Sequence, residues 1–306
     1  MQSTSNILMI RPVNFRFNSE TAVNNAFQVQ REDSDTPEKA RKEFDHFVQV
    51  LQHNGIHITV IDDTPEPYTP DSIFPNNWVS FHDDGTVVLY PMFAENRRAE
   101  RKQHVLDNIF RHFEKRRLID LTGAEADHLF LEGTGSMVLD RDNRIAYACL
   151  SPRTNKALVD EFCQQMNFTP VTFFARDQNG QEIYHTNVMM CVADQYVVIC
   201  LASITDPGEN SAVIKAINDT HKKFIDISIE QMNAFAGNML QVRNNMGAPF
   251  LVMSSQAFTS LDAQQRAILE EFNPIIHADI STIESNGGGS ARCMMAELFL
   301  PEKSSL

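Results

Sequence analysis

The chain repeats one pattern five times: a Gly- or Asn-containing turn, an apolar strand and then a second strand. The five segments begin at Ser72, Leu131, Tyr184, Ala236 and Gly287. The later copies are spaced by roughly fifty residues, a period that is typical of radial or stacked arrays. The last segment, 287–300, has no strand after it, so we expect it to pair with the apolar run 7–10.

Apolar residues at helical spacing fill the intervals between these strand pairs. The predicted helices are 37–53, 99–113, 155–166, 210–221 and 261–272. Strand pairs alternating with helices predict an α/β fold, a closed ring of ββαβ-like units, with an ordinary open α/β sheet as the alternative. We find no linker, so residues 1–306 are predicted to form one domain. The proline-rich stretch 63–70 is predicted to be an ordered loop that leads into a site.

Composition narrows the classes of function. A formal net charge of −14 and a pI near 5.1 argue against nucleic acid and anionic membranes as partners. The 5 cysteines, an odd number without metal-site or disulfide spacing, favour a reducing compartment. The N-terminus is polar and no apolar run approaches the roughly 20 residues of a membrane helix, so we expect a cytoplasmic protein. The expected partner is a small molecule, and a homo-oligomer is left open.

A glycine run that leads into a cysteine is the first feature that indicates a catalytic group. Residues 287–289 are glycines, and Cys293 follows in the same loop. Glycines let a ligand come close to the backbone, and a thiol on a loop becomes a nucleophile when a base or a positive field lowers its pKa. The alternative is a core cysteine that begins a buried strand.

Two residues at other repeat starts are candidates to assist this thiol. His185 is a candidate general acid and base, since an ordinary imidazole titrates near neutrality, and Glu132 is a candidate to orient it. A structural histidine and a turn-capping carboxylate are the alternatives. In a closed ring the repeat starts point to one opening. The converging candidates are Asp71, Asn76, Asn77, Glu132, His185, Asn187 and Cys293.

An ordered set of motifs resembles the guanidine-modifying, or pentein, superfamily. The motifs are Asp71-Ser72-Ile73-Phe74, Asn96-Arg97-Arg98-Ala99-Glu100, Leu131-Glu132-Gly133, Ser151-Pro152-Arg153-Thr154-Asn155, His185-Thr186-Asn187 and the glycine run with Cys293. The resemblance covers essentially the whole chain and implies a five-bladed α/β propeller. It implies that Cys293 attacks the substrate carbon, that His185 protonates the leaving amine and later activates water, and that Glu132 is their acidic partner.

The resemblance also extends to substrate binding. It implies that Arg97 and Arg153 hold a substrate α-carboxylate, for which a guanidinium fork is suited, and that Asp71 lies near the amino-acid end of the substrate. For both arginines, ordinary solvated surface residues are the alternative. The resemblance implies neither a metal nor an organic cofactor.

Departures from the superfamily pattern concern charge. Guanidine-processing members usually have carboxylates where this chain has Asn76 and Asn77, and several deiminases read His-x-Asp where this chain ends in Asn187. Carboxamides do not neutralise a guanidinium, but they can donate and accept hydrogen bonds with a neutral urea. Together with the opening segment 9–18, these residues resemble the citrulline utilization hydrolases. That branch implies hydrolysis of citrulline to ornithine, carbon dioxide and ammonia through a covalent cysteine intermediate.

Two other classes of function stay open at this level. One is a related enzyme: an arginine or methylarginine deiminase, a dimethylaminohydrolase or an amidinotransferase. The other is a non-catalytic pentein that binds an amino acid, or a structural protein in which Cys293 and His185 are dispensable. Substrate screening separates the enzymes from one another, and replacement of the cysteine separates enzyme from binding protein.

Overall fold

The computed structural model describes residues 1–31 and 34–303, which form an α/β fold. The strands are β1 (Asn6–Arg11), β2 (His57–Asp62), β3 (Val79–Phe81), β4 (Thr86–Leu89), β5 (Arg117–Asp120), β6 (Met137–Asp140), β7 (Ile145–Cys149), β8 (Thr169–Phe173), β9 (Met190–Val192), β10 (Tyr196–Ile199), β11 (Lys223–Asp226), β12 (Leu240–Arg243), β13 (Pro249–Ser254), β14 (Ile275–Ala278) and β15 (Ala296–Glu297). The helices are α1 (Ser19–Ala22), α2 (Thr36–His53), α3 (Glu95–Arg98), α4 (Gln103–His112), α5 (Gly133–Ser136), α6 (Lys156–Met166), α7 (Thr186–Met189), α8 (Pro207–Asp219), α9 (Ile229–Asn233), α10 (Ser255–Ser260), α11 (Ala263–Phe272) and α12 (Ser281–Gly287). Short 3-10 turns cover Pro75–Asn77, Thr122–Asp127 and Leu201–Ser203.

The strands form five three-stranded mixed sheets with one repeated topology. In four of them, two successive strands pair antiparallel, and a helix then crosses to a third strand that is parallel to the second. These units are β3-β4-α4-β5, β6-β7-α6-β8, β9-β10-α8-β11 and β12-β13-α11-β14. The predicted ββαβ repeats are confirmed at the level of the individual sheets.

The fifth sheet joins segments from opposite ends of the sequence. Strand β15 pairs antiparallel with β1, and β2 adds to the other side of β1 in parallel after the crossover helix α2. The predicted pairing of 287–300 with 7–10 is therefore confirmed, although only Ala296 and Glu297 of the later segment are strand. The preceding residues form the turn that carries Cys293.

The first strand of each unit meets its counterparts in neighbouring sheets. We call β3, β6, β9, β12 and β15 the inner strands. Among them, β6 contacts β9, β9 contacts β12, and β15 contacts β3. Each inner strand is preceded by a tight turn, so the repeat brings several turns to the same end of the inner strands. Those turns carry the residues predicted to converge.

Two predicted elements are shorter in the structure because polar residues take part in the site. The helix predicted over 99–113 begins at Gln103, since Arg97 and Glu100 bury their side chains in a separate turn. The apolar strand predicted to start at Ser72 is mostly loop and 3-10 turn, and only Val79–Phe81 joins the sheet. In both places buried polar contacts replace the regular structure that the apolar pattern predicted.

Helix α2 illustrates how the crossover helices pack. Phe44, Phe47 and Leu51 are fully buried on one face, which packs against β14 and α12. Full burial of each such side chain stabilises the fold by about 1.5–3 kcal/mol. Within residues 1–31 and 34–303, no helix combines the length and the apolarity that crossing a membrane requires.

Candidate active site

The candidate residues lie in the turns that lead into the inner strands. Asn76 and Asn77 belong to the 3-10 turn before β3. Glu132 precedes α5 and His185 precedes α7, the single turns that open β6 and β9. Cys293 occupies the turn before β15. The repeated topology thus gathers groups that are distant in sequence around one narrow pocket.

The sulfur of Cys293 lies between two carboxamides. Asn187 Nδ2 is 3.4 Å and Asn238 Nδ2 is 3.3 Å from Sγ. Cys293 is only 3% exposed, and it lines the pocket together with His185. Both carboxamides direct N–H groups at the atom that becomes negative when a thiol loses its proton.

His185 forms a hydrogen-bonded pair with Glu132, with 2.8 Å between Nε2 and Oε2. Burial lowers the pKa of His185 to about 4, although the Glu132 carboxylate acts in the opposite direction. The imidazole is therefore neutral near pH 7. Because an ionised carboxylate only accepts, Nε2 carries the proton and Nδ1 is the basic nitrogen. Gly135 makes room for this ring, since a Cβ there would lie 2.7 Å from Nδ1.

Glu132 is fully buried and ionised. Burial raises the pKa of its carboxyl, but Arg153, His185 and Arg97 outweigh burial and hold the pKa well below its usual range. Arg153 Nη1 lies 3.5 Å and Arg97 Nη1 3.9 Å from Oε2. The other oxygen, Oε1, accepts a 3.0 Å hydrogen bond from the backbone N–H of Phe93. The carboxylate is thus fixed in place and its charge is compensated.

Arg97 is already paired inside the protein. Its Nε and Nη2 donate to the two oxygens of Glu100 at 2.8 and 3.0 Å, and Nη1 donates to Asn77 Oδ1 at 2.9 Å. Burial raises the pKa of Glu100 to about 7, with Arg97 acting against it. The guanidinium therefore orients Asn77, and its charge is balanced before any substrate enters.

Arg153 binds a segment of its own chain, residues 18–31, which we call the cover segment. Its Nη2 donates to the Thr21 carbonyl at 2.6 Å, and Nε donates to Asn24 Oδ1 at 2.8 Å. The guanidinium also lies 4.8 Å above the Tyr184 ring. Of its nitrogens, Nη1 points instead toward Glu132. A substrate carboxylate that binds Arg153 must therefore compete with Asn24 and Thr21.

Asp71 keeps one oxygen without a partner. Its Oδ2 accepts hydrogen bonds from Asn18 Nδ2 at 2.8 Å and from Thr21 Oγ1 at 3.2 Å. Its Oδ1 is buried and has no hydrogen-bond partner among the described residues. Burial raises the pKa of this carboxyl, with Arg97, 3.9 Å away, acting against it. A buried acceptor beside a pocket is a natural position for an N–H donor of a ligand.

The glycine run has a different role from the predicted one. Helix α12 ends at Gly287, and Gly288 takes the left-handed conformation that caps it, with a φ of +62°. A Cβ on Gly288 would lie 2.5 Å from Asn25 Nδ2, and one on Gly287 would lie 2.8 Å from the Phe74 ring. The glycines thus admit Asn25 and Phe74 beside the thiol, whereas the sequence suggested that they admit the ligand itself.

Two predicted binding residues differ in how they meet the pocket. Asn76 donates to Thr134 Oγ1 at 3.3 Å and accepts from Asn77 Nδ2 at 3.1 Å, so it lies behind Asn77. Asn187 is fully buried, and its Oδ1 has no hydrogen-bond partner within residues 1–31 and 34–303. Asn187 therefore keeps an acceptor available next to the sulfur.

Sequence reasoning missed several pocket residues. Asn238 contacts the sulfur, and its place after Gly237 at the start of the fourth repeat is the signal that would have revealed it. The Tyr184 ring packs against the His185 ring at a tilt of 44°, with 4.6 Å between ring centroids. Thr21 and Asn25 of the cover segment also line the pocket. No motif marks these two residues.

Two further findings concern regions outside the pocket. The other cysteines are core residues: burial raises the pKa of Cys149, Cys163 and Cys191 to about 12 and that of Cys200 to about 11. The loop 63–70 is ordered by Lys102, whose Nζ donates to Asp63 Oδ1 at 2.6 Å and to the Pro67 carbonyl at 3.1 Å. The prediction of an ordered loop is confirmed.

Fold and site together define a class of enzyme. A buried thiol, a neutral imidazole and an ionised carboxylate lie together at one end of the five mixed sheets, in a fold of the guanidine-modifying pentein superfamily. Residues 11–300 match the family described as N,N dimethylarginine dimethylhydrolase, eukaryotic, and the chain belongs to this family. The resemblance inferred from the motifs is thereby confirmed. A comparison with curated proteins finds no match.

Solved structures share the fold at low sequence identity. ArgZ, an arginine dihydrolase from the ornithine-ammonia cycle in Cyanobacteria, superposes with a TM-score of 0.75 at 18% identity over 97% of this chain and 41% of that chain. The chain thus spans less than half of full-length ArgZ but matches 99% of its N-terminal domain, solved covalently bound to a reaction intermediate. A dimethylarginine dimethylaminohydrolase adduct with S-methyl-L-thiocitrulline gives 0.66 at 15% identity, covering 97% of this chain and 100% of that chain.

Proposed function

We propose that this protein hydrolyses citrulline to ornithine, carbon dioxide and ammonia through a covalent intermediate on Cys293. The observation that carries the proposal is the presence of neutral carboxamides around the sulfur. Asn187 and Asn238 donate to it, and Asn187 also keeps an unpartnered Oδ1 beside it. A ureido group, with a carbonyl acceptor and N–H donors, matches such carboxamides without a net charge.

The charges of the pocket support the same substrate class. Glu132 is compensated by Arg153 and Arg97, and Glu100 is compensated by Arg97. A guanidinium bound there would bring a further cation next to two buried arginines, and an unpaired buried cation is costly. A neutral ureido group avoids this cost.

The hydrogen-bonded pair of His185 and Glu132 supplies a proton path that balances the reaction. His185 Nδ1 takes the thiol proton as the sulfur of Cys293 adds to the ureido carbon. The C–N bond then breaks as the imidazolium gives this proton to the leaving nitrogen, which leaves a thiocarbamate on sulfur. His185 next deprotonates a water molecule, which adds to the thiocarbamate carbon, and the C–S bond breaks with return of the proton to sulfur. The carbamate released loses carbon dioxide.

Carboxamide donors would stabilise the charge that develops during addition. The former ureido oxygen becomes negative in the tetrahedral intermediate, and fixed N–H donors stabilise such an oxyanion more than they stabilise the neutral ground state. Asn77 lines the pocket and is held by Arg97, so its carboxamide is preorganised for this role. Removing one such donor typically costs 10²–10³-fold in turnover.

The amino-acid end of citrulline fits the remaining groups. Its α-ammonium group would donate to the unpartnered Oδ1 of Asp71. Its α-carboxylate would bind Arg153 in place of Asn24, which occupies the same guanidinium edge. These contacts orient the substrate with its ureido group toward Cys293.

Product analysis tests the proposal. Wild-type protein incubated with citrulline, without added metal or nucleotide, should release ornithine and ammonia in equal amounts. Cys293→Ala should lose at least about 10⁴-fold in turnover while still binding citrulline, because the thiol is needed for chemistry and the other contacts remain. Wild-type turnover by the alanine variant would refute the nucleophile.

A guanidino substrate is the second candidate. The orphan oxygen of Asp71 is a charged acceptor in the pocket, and a cationic head group bound in reverse would satisfy it. Arginine and dimethylarginine therefore belong in the same assay. Ornithine or citrulline formed from these compounds, with none from citrulline itself, would support this candidate. No reaction with any of the three would favour a binding protein.

Three broader features complete the proposal. Contacts between successive inner strands support closure of the five sheets into a five-bladed propeller. The joining of β1 with β15 in one sheet supports a single domain over residues 1–306. The 5 free cysteines are compatible with the reducing cytoplasm.

A further inference from the structure

We propose that Asn238 is a positioning residue that holds the Cys293 sulfur in its attacking geometry and stabilises its deprotonated form. This inference extends the proposed function, because a role of Asn238 in catalysis depends on citrulline hydrolysis by Cys293. Asn238 Nδ2 lies 3.3 Å from Sγ, and the residue is fully buried in the turn that opens the fourth repeat. Neither the sequence motifs nor the family resemblance assigned a role to this residue.

The carboxamide of Asn238 is locked by the two turns that it joins. Its Nδ2 also donates to the carbonyl oxygen of Asn187 at 2.8 Å, and its Oδ1 accepts from the backbone N–H of Arg292 at 3.0 Å. These two bonds hold Nδ2 nearer to the sulfur, at 3.3 Å, than Oδ1, which lies 3.8 Å from Sγ and can accept from the thiol. The turns so connected belong to the third and fifth repeats and carry His185 and Cys293. Asn238 therefore sets the relative position of the base and the nucleophile.

Hydrogen bonds that are made to the charged form of an acid stabilise that form. Because Nδ2 is an N–H donor and is the nearer end of the Asn238 carboxamide, 3.3 Å from Sγ against 3.8 Å for Oδ1, it makes a favourable contact with a deprotonated sulfur. The titratable and charged groups that share this pocket are Asp71, Arg97, Arg153, Tyr184 and His185, with Glu132 behind the imidazole. None of these has a hydrogen bond to Sγ within residues 1–31 and 34–303, so the carboxamides of Asn187 and Asn238 make the direct polar contacts.

A purely structural role for Asn238 makes a different prediction. If the side chain only joined two turns, its loss would lower stability but would leave the reactivity of the remaining folded thiol unchanged. If it stabilises the deprotonated sulfur, its loss would slow alkylation of Cys293 at neutral pH, whatever its effect on melting. The readout is therefore the pH dependence of thiol alkylation, which needs no substrate.

Two variants test the inference. Asn238→Asp keeps the shape and the acceptor for Arg292 N–H but removes the N–H groups that face the sulfur. Asn238→Ala removes the carboxamide contact with the sulfur without burying a charge. If the aspartate variant does not fold, the alanine variant tests the proposed role of Asn238. Iodoacetamide is the probe, and Cys293→Ser gives the background from the four other cysteines.

Asn273→Asp is the matched control. Asn273 is also buried, and its Oδ1 accepts hydrogen bonds from Tyr196 and Gln241 at 3.0 and 2.8 Å. The same substitution at this position retains those acceptor contacts, and the position does not contact the sulfur. Each variant is also followed by thermal unfolding. The ultraviolet absorbance of the thiolate against pH gives a second, reagent-free readout.

We expect both Asn238 variants to be alkylated about tenfold more slowly at neutral pH, with a profile displaced to higher pH, while Asn273→Asp follows the wild type. Turnover of citrulline should fall by at least the same factor. Folded Asn238 variants with a wild-type alkylation profile would overturn the inference. Failure of the wild type to turn over citrulline would instead refute the proposed function and leave the alkylation result to decide the role of Asn238.

Discussion

The two ends of the inner strands bury charge in opposite ways. At the end that carries the proposed active site, which we call the catalytic end, the turns before the strands hold Glu132, Asp71 and Asn187, and two of these keep a buried oxygen without a partner. At the far end, Asp140 and Glu297 close the strands β6 and β15. Both ends arise from the same repeat, so the difference between them is not one of fold.

The far end is a set of ion pairs. One of them, Arg243 at the end of β12 with Asp194, keeps Arg243 Nε and Asp194 Oδ1 buried without a hydrogen-bond partner among the described residues, and the other two are completed. Lys222 Nζ lies 3.0 Å from Asp140 Oδ2 and donates to the Ala193 carbonyl at 2.7 Å, and Arg292 Nη2 lies 2.9 Å from Glu297 Oε2. In the described part of the chain, no side-chain nitrogen or oxygen of these four residues is both fully buried and without a hydrogen bond. Paired charges of this kind hold segments in register and leave nothing for a ligand to satisfy.

The comparison teaches that unmet hydrogen-bonding capacity next to a pocket, more than buried charge itself, marks a binding site, whereas the unmet atoms of Arg243 and Asp194 belong to a salt bridge. Each orphan acceptor costs about 1–3 kcal/mol while it is buried without a partner. Asp71 Oδ1 and Asn187 Oδ1 both carry this cost. A ligand that donates to them recovers it as binding free energy.

Replacement of Glu132 by glutamine should produce the largest effect at the catalytic end. A glutamine amide facing His185 would favour the tautomer with its proton on Nδ1, so no base would face the substrate, and turnover should fall about 10³–10⁴-fold. Steady-state kinetics with citrulline measure this loss. Glu125→Gln is the control, because Glu125 is a largely buried carboxylate paired with Arg101 outside the pocket. A loss below tenfold would contradict the orienting role of Glu132.

The same pair predicts the acid limit of the wild-type enzyme. Because burial lowers the pKa of His185 to about 4, the imidazole stays a base at mildly acidic pH, and activity should fall only as the pH drops through about 4. The Glu132 carboxylate favours the protonated ring, so its loss should move this limb to still lower pH. An acid limb near pH 6.5, the value for an unperturbed imidazole, would contradict the burial argument.

At the far end, Lys222→Met should affect stability and leave catalysis alone. The substitution leaves Asp140 buried without its cation, which should cost about 3 kcal/mol of unfolding free energy. Urea unfolding measures this cost, and turnover per folded molecule should match the wild type. The control is Lys215→Met, which breaks an exposed pair with Asp219 and should cost about 0.5 kcal/mol or less. Equal losses of unfolding free energy for the two variants would mean that the buried pair contributes no more to stability than the exposed pair.

A smaller effect should follow from making the catalytic end more like a guanidinium site. Asn76→Glu combined with Asn77→Asp adds carboxylates while keeping the acceptor that Arg97 uses on residue 77. We expect the ratio of kcat/KM for arginine over citrulline to rise about tenfold. The new carboxylates would pair with the guanidinium cation of arginine, whereas they gain no such charge pairing with the neutral ureido group of citrulline. Asn273→Asp again serves as the control for a buried acid. An unchanged ratio would contradict the argument for a neutral substrate.

The sequence predicted the catalytic end better than the far end for a physical reason. Each site turn begins a repeat and carries glycine or asparagine, so Glu132, His185 and Cys293 stand out at matching positions. The salt bridge of Lys222 with Asp140 joins two ordinary charged residues from different sheets, and no local pattern marks it. Register between sheets is set by packing, which a single sequence does not display.

The cover segment was beyond prediction for a related reason. The sequence predicts that Arg153 is free to bind a substrate carboxylate. In the structure, Arg153 donates a hydrogen bond to Asn24, which lies 129 positions earlier in the chain. A polar stretch such as 18–31 has neither helical nor strand periodicity, so its place over the pocket depends on tertiary contacts alone. Residues 32 and 33, which follow it, lie outside the described part of the chain.

The sheet that joins β1 to β15 has a consequence for the timing of biosynthesis. Cys293, the proposed nucleophile, lies three residues before β15, and β15 completes its sheet only by pairing with β1. During vectorial synthesis, the other four sheets have all of their strands before the codon of Cys293 is read. The Cys293 thiol therefore meets Asn187, Asn238 and His185 only after the four other sheets have been synthesised, so a chain that has not reached residue 293 lacks the proposed nucleophile.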